Sequence, residues 1–320
     1  MRILIIGGAG YVGSVLTRSL WELGHDVTVL DLLMFGKEPL RPLVSEPRFR
    51  LIEGDLRDEP TLADVVPGHD AVCLLAAIVG EPACNRDEQN AVQTNLEGAL
   101  KVLEASRRAQ VARFVFTSTC SNYGISDPAE LATEESPLHP LSVYSRTKVE
   151  AEKAILAAAG DGFCPTVLRL STAFGVSPRM RFDLLVSDFT LAAHRDRKIV
   201  IYGEQFWRPF VHVRDVADSV QMVLDAPREV VHGEVFNVGS NRANVQKREL
   251  GRMVQSEVAG SDLEFIPGGT DPRSYRVDFT KAAARLGFEP KWTIRRGIQE
   301  LYGLLQENHW PNPGDKRYYN

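Results

Sequence analysis

Three side chains in the middle of the sequence could together exchange a proton with an alcohol. Thr119 lies just after an apolar run at 113–116, and Tyr144 and Lys148 are separated by three residues. In a helix this spacing places the tyrosine and the lysine on one face. A nearby ammonium can lower the pKa of a phenol, which is about 10 when unperturbed. An ionised Tyr144 could then accept a proton from a substrate hydroxyl that Thr119 holds by a hydrogen bond.

A glycine-rich turn near the start of the chain could bind the phosphates of a dinucleotide. The buried run at 2–6 predicts a strand, and the sequence GGAGYVG follows it and opens a helical pattern. A strand, a glycine turn and a helix in this order direct N–H groups of the helix N-terminus at a pyrophosphate. Gly7 would allow the tight turn, Gly10 would let the backbone approach the pyrophosphate, and Gly13 would let the helix pack on the strand.

An acidic residue ends the second predicted strand. The run at 26–30 predicts this strand, and Asp31 follows it directly. A carboxylate at this place accepts hydrogen bonds from the adenosine ribose and repels a 2′-phosphate, so NAD is favoured over NADP.

The order of strand and helix patterns predicts an α/β fold. Strand patterns at 49–56 and 71–77 alternate with helical patterns at about 90–109 and 146–159. This alternation is typical of a Rossmann doubly wound parallel sheet. We expect a smaller interwoven C-terminal lobe to bind substrate. The predicted NAD-binding domain is 1–171 with about 210–240, and the predicted substrate-binding lobe is about 172–209 and 241–320.

Composition excludes several classes of partner. The 320 residues are 44% hydrophobic and 25% charged, with a formal net charge of -5. This charge gives no reason to expect nucleic acid or an anionic membrane as partner. No apolar run is long enough to span a bilayer. The four cysteines show neither a CxxC pair nor zinc-ligand spacing, so we expect no metal, reduced thiols and a cytoplasmic location.

Taken together, the motifs resemble one enzyme family, the NAD-dependent nucleotide-sugar epimerases and dehydratases among the extended short-chain dehydrogenases/reductases. The similarity covers nearly the whole chain. The motifs that carry it are GGAGYVG at 7–13, Asp31, Asp55-Leu56, LAA at 75–77, Ser118-Thr119 with Tyr123-Gly124, YxxxK at 144–148, WRPFVHVRDVA at 207–217, FNVG at 236–239 and DPRSY at 271–275.

The resemblance implies a role for each matching position. The implied catalytic residues are Thr119, Tyr144 and Lys148. The implied NAD-binding residues are Gly7, Gly10, Tyr11, Val12, Gly13, Asp31, Asp55, Leu56, Leu75, Ala76, Ala77, Thr94, Thr117, Tyr144, Lys148 and Ser171. A nucleotide-diphosphate sugar is the implied substrate, and its implied contacts are Thr119, Tyr144, Thr172, Arg181, Tyr202, Arg208 and Arg273. Guanidinium groups suit phosphate oxygens, so Arg208 and Arg273 are predicted phosphate ligands.

The two residues that follow Thr119 differ between enzymes of the family that catalyse different reactions. Its 4,6-dehydratases resemble this site but carry Asp and Glu where this chain has Cys120 and Ser121, and its decarboxylases carry Glu at the position of Ser121. Cys120 is therefore predicted to be a small packing residue. C4 epimerisation through a transient 4-keto sugar fits best. A nucleotide-sugar 4-ketoreductase is the nearest alternative, and a dehydratase or decarboxylase fits less well. A catalytically silent NAD-binding regulatory protein is the non-enzyme alternative.

Three departures from the family pattern leave the sugar and the nucleotide base open. Thr172 stands where epimerases commonly carry asparagine, Val79 replaces a polar or basic residue, and Asn122 replaces a common valine. The stretch at 78–84 is predicted to line the sugar pocket.

The resemblance also implies a homodimer. Family members commonly pair through two long helices, here about 90–109 and 146–159. Apolar residues on these helices are predicted to supply the buried area. They are Leu96, Leu103, Ile155 and Leu156.

Overall fold

Strands and helices alternate through most of the chain. The computed structural model describes residues 1–125, 130–268 and 273–320. The strands are β1 (Arg2–Ile6), β2 (Asp26–Asp31), β3 (Phe49–Glu53), β4 (Ala71–Leu74), β5 (Arg113–Thr119), β6 (Cys164–Leu170), β7 (Thr172–Phe174), β8 (Lys198–Tyr202), β9 (Trp207–His212), β10 (Glu234–Val238), β11 (Asn244–Gln246) and β12 (Asp262–Ile266).

The helices cover both faces of the strands. They are α1 (Tyr11–Glu22), α2 (Glu59–Val65), α3 (Glu81–Arg86), α4 (Glu88–Val92), α5 (Ala99–Arg108), α6 (Val143–Ala157), α7 (Leu185–Arg195), α8 (Val213–Asp225), α9 (Arg228–Val231), α10 (Lys247–Glu257), α11 (Thr280–Leu286) and α12 (Ile294–Gln306). Short 3-10 helical turns lie at Glu38–Leu43, Cys120–Tyr123, Asn241–Ala243 and Lys316–Tyr318.

The main sheet is parallel. Within the described residues it has seven strands in the order β10-β6-β5-β4-β1-β2-β3. Strand order reverses between β1 and β4, where open α/β sheets form a ligand crevice beyond the strand ends. The predicted doubly wound Rossmann sheet is confirmed.

Burial on both faces explains why β1 lies inside the sheet. Ile3, Leu4 and Ile5 have no exposed surface, and they divide between two cores. Ile3 and Ile5 pack with α1 and α8, whereas Leu4 packs with α2, α5 and α6. A continuous apolar run is typical of a strand that helices cover on both sides.

The two helices predicted at about 90–109 and 146–159 differ from the prediction in detail. A π-helical segment, Gln93–Gly98, separates α4 from α5. Such segments often occur at functional sites, and this one contains Thr94. Helix α6 begins at Val143 because the Ser142 side chain caps it, with its Oγ accepting from the Ser145 N–H at 3.2 Å. Tyr144 therefore lies in the first turn of α6 and Lys148 one turn later.

Four apolar residues were predicted to supply a dimer surface, and this prediction is wrong for two of them, Leu103 and Ile155. Ile155 has no exposed surface and Leu103 is 7% exposed, because both pack against the main sheet within one chain. Leu96 and Leu156 are only partly buried against the same core. The homodimer itself stays a prediction.

Smaller sheets lie in the second half of the chain. One has the order β11-β9-β7, and β12 pairs with β8 in another. Helices α7, α10 and α12 pack on them around a separate apolar core. The predicted boundaries between an NAD-binding domain and a substrate lobe stay a prediction. None of the described helices combines the length and the apolar character that crossing a membrane requires.

Candidate active site

A cavity of about 780 Å³ lies beyond the carboxyl ends of the main-sheet strands. Its size is typical of ligand-binding pockets. Most of the predicted site residues line it. They are Gly7, Gly10, Tyr11, Val12, Gly13, Asp31, Asp55, Leu56, Leu75, Ala76, Ala77, Thr94, Thr117, Thr119, Tyr144, Lys148, Ser171, Thr172, Arg181, Arg208 and Arg273.

The glycine turn lies at the point where strand order reverses. Gly7 has φ +92°, and a Cβ there would lie 2.5 Å from the Ala76 nitrogen, which no side chain could tolerate. The Ala76 N–H donates to the Ile6 oxygen at 2.8 Å, so the loops after β1 and β4 touch. At Gly10 a Cβ would meet only the Gly7 oxygen, at 3.4 Å. The turn therefore leaves room for a phosphate beside the N-terminus of α1.

Asp31 is held in place by backbone groups. Its Oδ2 accepts from the Ala9 N–H and its Oδ1 from the Leu33 N–H, each at 2.8 Å. Burial raises the pKa of Asp31, while these two bonds oppose the rise. Each oxygen keeps a second lone pair for a ligand hydroxyl. The glycine turn and this carboxylate fit the pyrophosphate and the ribose of a dinucleotide.

Asp55 lies in the loop after β3, which ends at Glu53, earlier than predicted. Arg57 Nη2 lies 2.6 Å from Asp55 Oδ2, and this pairing lowers the pKa of the carboxyl. Arg57 also donates to Asn90 Oδ1 at 2.8 Å. The loop that carries the predicted NAD-binding residues Asp55 and Leu56 is thereby tied to α4.

Lys148 is buried beneath the cavity floor. Its Nζ donates to the Thr117 backbone oxygen at 2.9 Å and lies 4.6 Å from the centre of the Phe116 ring. The side chain is 2% exposed, and burial lowers its pKa to about 8. The ammonium is therefore the main form near neutral pH.

Tyr144 packs among apolar side chains that include Ile78 and Cys84. Burial raises the pKa of Tyr144, and the charges of Arg181 and Arg273 act against that rise. The lowering predicted from the Lys148 ammonium does not hold for the protein alone, because burial raises the pKa of Tyr144 more than the opposing charges lower it. The protein surroundings by themselves favour the protonated phenol, which is the form that donates a proton.

Thr119 ends β5 with its hydroxyl in the cavity. Its Oγ1 lies 2.9 Å from Ser121 Oγ and accepts from the Ser121 N–H at 3.1 Å. Between them, Cys120 Sγ donates to the Arg169 backbone oxygen at 3.2 Å and has no exposed surface. Burial raises the pKa of this thiol to about 12. Cys120 thus has the contacts of a packing residue, and only Ser121 of the two lines the cavity.

A buried polar network holds the turn after Thr119. Arg169 on β6 forms an ion pair with Glu152 on α6 and donates to the Tyr123 hydroxyl at 2.9 Å. That hydroxyl donates to Asn237 Oδ1 at 2.7 Å. Removing one partner from such a network would leave buried polar groups unpaired, which is costly in free energy. The intact network therefore keeps the turn rigid.

Two of the predicted arginines, Arg181 and Arg208, bond to other protein groups as well as lining the cavity. Arg181 pairs with Asp183, with Nε and Oδ1 3.0 Å apart. Arg208 donates to the Trp207 backbone oxygen at 2.8 Å and to that of Arg273. These contacts hold the guanidinium groups in fixed positions, as phosphate recognition requires.

The end of the chain reaches the cavity, which nothing in the sequence indicated. Arg179 Nη2 donates to Asn320 Oδ1 at 2.7 Å, and its guanidinium lies 3.7 Å from the centre of the Phe35 ring. Asn320 Nδ2 lies 3.5 Å from the Val79 oxygen. Arg179, Phe35, Asn320 and Val79 therefore form a bridge along the cavity wall between the loop after β2 and the loop after β4; we call this set the Arg179 bridge.

Tyr202 is the predicted site residue that the structure does not bring to this cavity. It is 51% exposed at the end of β8, whose Ile199 and Ile201 face the core of the smaller sheets. Of the DPRSY motif, residues 271 and 272 lie outside the described residues. In the described ranges no three histidine, cysteine or acidic side chains gather as metal ligands.

The comparison with models of protein families shows which family the chain belongs to. The model of the NAD dependent epimerase/dehydratase family matches residues 3–239. The chain belongs to this family. The predicted family is confirmed, and so is NAD as the coenzyme on which the family depends.

Individual relatives within the family have different activities. A dTDP-glucose 4,6-dehydratase of Streptomyces niveus is 32% identical over 98% of this chain and 95% of its own. A UDP-glucose 4-epimerase of Lactobacillus helveticus is 30% identical over 91% of this chain and 92% of its own. The structure of a dTDP-glucose 4,6-dehydratase from Streptomyces venezuelae with NAD bound superposes with a TM-score of 0.86 at 26% identity, over 97% of this chain and 98% of the other. The chain is an enzyme of this nucleotide-sugar family.

Proposed function

We propose that the protein is an NAD-dependent nucleotide-sugar epimerase that inverts C4 of the sugar through a transient 4-keto intermediate. The observation that carries this proposal is the arrangement around Thr119. Its hydroxyl, Tyr144 and Lys148 line one cavity, whereas Cys120 faces the protein interior and Ser121 places a hydroxyl where an eliminating enzyme needs a carboxylate. These groups suit the interconversion of an alcohol and a ketone and no further elimination.

Tyr144 is assigned the proton transfer. Its phenol oxygen accepts the proton of the substrate 4-hydroxyl during oxidation and returns it to the 4-keto oxygen during reduction. The glycine turn and Asp31 would hold NAD, which would supply a hydride acceptor for C4 and, once reduced, a hydride donor to the opposite face of the turned sugar. Proton and hydride both return to the substrate, so the reaction consumes no coenzyme.

Lys148 and Thr119 support this transfer. We assign the ammonium of Lys148, held by the Thr117 oxygen, to stabilising Tyr144 when it becomes ionised during the reaction. Thr119 donates a hydrogen bond to the reacting oxygen, and its own oxygen accepts from the Ser121 N–H, which orients it. Arg181, Arg208 and Arg273 line the same cavity and suit the diphosphate of the substrate.

An epimerase must keep its reduced coenzyme until the hydride returns, and the Arg179 bridge supports that requirement. It links the loop after β2, which follows the ribose-binding Asp31, to the loop after β4. A 4-ketoreductase would instead exchange its coenzyme on every turnover. This contact favours the epimerase over the ketoreductase.

Turnover without added coenzyme tests the proposal. Purified protein is incubated with UDP-linked and dTDP-linked hexoses, and the 4-epimers are separated by chromatography. We expect epimer formation and an absorbance at 340 nm that appears when substrate is added to protein carrying NAD. Reaction only when NADH or NADPH is supplied with a 4-keto sugar would identify a ketoreductase. Loss of water from the sugar would identify a dehydratase.

We also propose a homodimer, as in the family pattern. The expected interface includes the outward faces of α5 and α6, on which Leu100 is 36% exposed. Light scattering at micromolar concentration should give twice the 35.5 kDa chain mass. A mass of one chain would contradict the dimer and leave the epimerase proposal intact.

A further inference from the structure

An ion pair crosses the cavity beside the proposed reaction centre. Glu81 begins α3 in the loop after β4, and its Oε1 lies 3.2 Å from the Nε of Arg273. Both side chains line the cavity and keep 22% and 23% of their surface exposed. The family resemblance assigns Arg273 to the substrate, whereas Glu81 was predicted only as one member of the stretch 78–84 that lines the sugar pocket.

The loop that carries Glu81 is held by side chains on both sides. Asn95, in the π-helical segment, accepts from the Ile78 N–H at 2.7 Å and donates to the Ile78 oxygen at 2.9 Å. Cys84 Sγ donates to the same oxygen at 3.3 Å and packs in one cluster with Tyr144. Glu81 therefore has a defined position next to the proposed proton-transfer residue.

The position of Glu81 relates it to the sugar. In the proposed reaction the sugar must lie with C4 at Tyr144 and its diphosphate at the arginines, one of which is Arg273. Glu81 comes three residues before Cys84, which packs with Tyr144, and pairs directly with Arg273. In such a complex its carboxylate would lie between the reacting carbon and the phosphates.

The other carboxylates of the described cavity wall lie elsewhere. Asp31 and Asp55 follow β2 and β3 at the coenzyme end, and Asp183 pairs with Arg181. Of the two described carboxylates that pair with a proposed phosphate ligand, Glu81 is the one whose loop also packs with Tyr144 through Cys84. It can accept hydrogen bonds from sugar hydroxyls, and it repels a second carboxylate because like charges close together in a partly buried site are unfavourable.

We propose that Glu81 is a specificity-determining residue that restricts the site to nucleotide sugars whose hexose carries no carboxylate. The inference rests on the proposed function, since it assumes a nucleotide sugar in this cavity. The pairing of Glu81 with the Nε of Arg273 offsets part of the positive charge that would otherwise attract a uronic acid.

Binding measurements on the NAD-loaded protein test the inference. Isothermal titration gives dissociation constants for UDP, UDP-glucose and UDP-glucuronic acid, and for the dTDP counterparts. We expect the neutral hexose to bind at least about tenfold more tightly than the uronic acid of the same nucleotide, a difference of about 1.4 kcal/mol. In Glu81→Gln, which keeps the shape of the side chain, the ratio should fall to about threefold or less, mainly through tighter binding of the uronic acid.

The controls separate the inference from the proposed function. Glu88→Gln changes an exposed acid on α4 and should leave the ratio unchanged, and melting curves show whether each variant is folded. Equal binding of hexose and uronic acid by the unaltered protein overturns the inference alone. Binding of UDP and dTDP no weaker than that of every conjugate overturns the proposed function as well. If Glu81→Gln abolishes turnover while binding ratios stay unchanged, Glu81 is an acid or base and the specificity role is wrong.

Discussion

The ammonium of Lys148 donates to the backbone oxygen of Thr117, with Nζ and O 2.9 Å apart. This bond joins the first turns of α6 to the end of β5, the two elements that carry Tyr144 and Thr119. Removing it would leave a buried carbonyl without its partner as well as removing a charge. The relative position of the two proposed catalytic side chains therefore depends on a contact between elements distant in sequence.

Replacing the proposed proton-transfer residue should remove most activity. Tyr144→Phe keeps the ring in its apolar cluster but loses the hydroxyl, so kcat should fall roughly 10²–10⁴-fold, as for the loss of general acid–base catalysis. Binding of NAD and nucleotide sugar should change little. Tyr202→Phe is the matched control, because that hydroxyl lies outside the cavity. Near-normal turnover by Tyr144→Phe would disprove the assignment.

The side chains at the end of β5 should differ in their effects. Thr119→Val loses a hydrogen bond to the reacting oxygen, which should cost about 2–4 kcal/mol of transition-state stabilisation. Cys120→Ala should leave kcat within a few-fold and lower the free energy of unfolding by about 1 kcal/mol, because one buried hydrogen bond is lost. Steady-state rates and urea unfolding measure both effects. A Cys120→Ala variant as inactive as Tyr144→Phe would indicate thiol acid–base chemistry instead.

Coenzyme binding should weaken as pH rises through about 8. Burial lowers the pKa of Lys148 to about 8, so the ammonium of this predicted NAD-binding residue is present below that pH and lost above it. Dissociation constants for NAD between pH 6.5 and 9.5 should show this rise. Lys148→Met should bind NAD weakly at every pH, with no change near pH 8. Lys153 is an exposed lysine on α6, and Lys153→Met should keep the pH dependence of the unaltered protein. If Lys148→Met still shows the rise in the NAD dissociation constant near pH 8, the titrating group is another residue.

Asp31 should control the choice between NAD and NADP. We expect the unaltered protein to bind NAD much more tightly than NADP, since the carboxylate repels a 2′-phosphate. Asp31→Ala should reduce the ratio of the NADP to the NAD dissociation constant at least about tenfold, which corresponds to about 1.4 kcal/mol. It should also destabilise the fold, because the Ala9 and Leu33 N–H groups lose their acceptor. Asp26→Ala, an exposed acid on the same strand, is the control; equal or tighter NADP binding by the unaltered protein would refute the role.

The Arg179 bridge should slow the release of coenzyme. Arg179→Met loses the stacking on Phe35 and the bond to Asn320, so NADH should dissociate about tenfold faster, which corresponds to about 1.4 kcal/mol. Stopped-flow fluorescence measures this rate. Arg317→Met removes an exposed ion pair with Asp315 near the same chain end and should not change it. Unchanged release from Arg179→Met would remove the support that the bridge gives to the epimerase over the ketoreductase.

Local patterns in the sequence were enough to predict much of the fold and part of the candidate site. The run of Arg2–Ile6, the glycine turn and the spacing of Tyr144 and Lys148 each act over one or two elements, and the structure contains the predicted strand, turn and helix. Positions at strand ends were also predictable, because parallel strands bring their carboxyl ends to one edge. Asp31 and Thr119 reach the cavity in this way.

Contacts between distant parts of the chain were decided only by tertiary packing. The pairing of Glu81 with Arg273, the approach of Asn320 to Arg179 and the exposure of Tyr202 depend on how the smaller sheets pack on the main sheet. Helical periodicity showed that Ile155 is apolar but not whether it faces a core or a second chain. The sequence by itself therefore determined the predicted coenzyme-binding elements and the proposed reacting side chains, because their spacing is local. Tertiary structure determined which charges surround the proposed sugar site, because those charges come from segments that meet only in the folded protein.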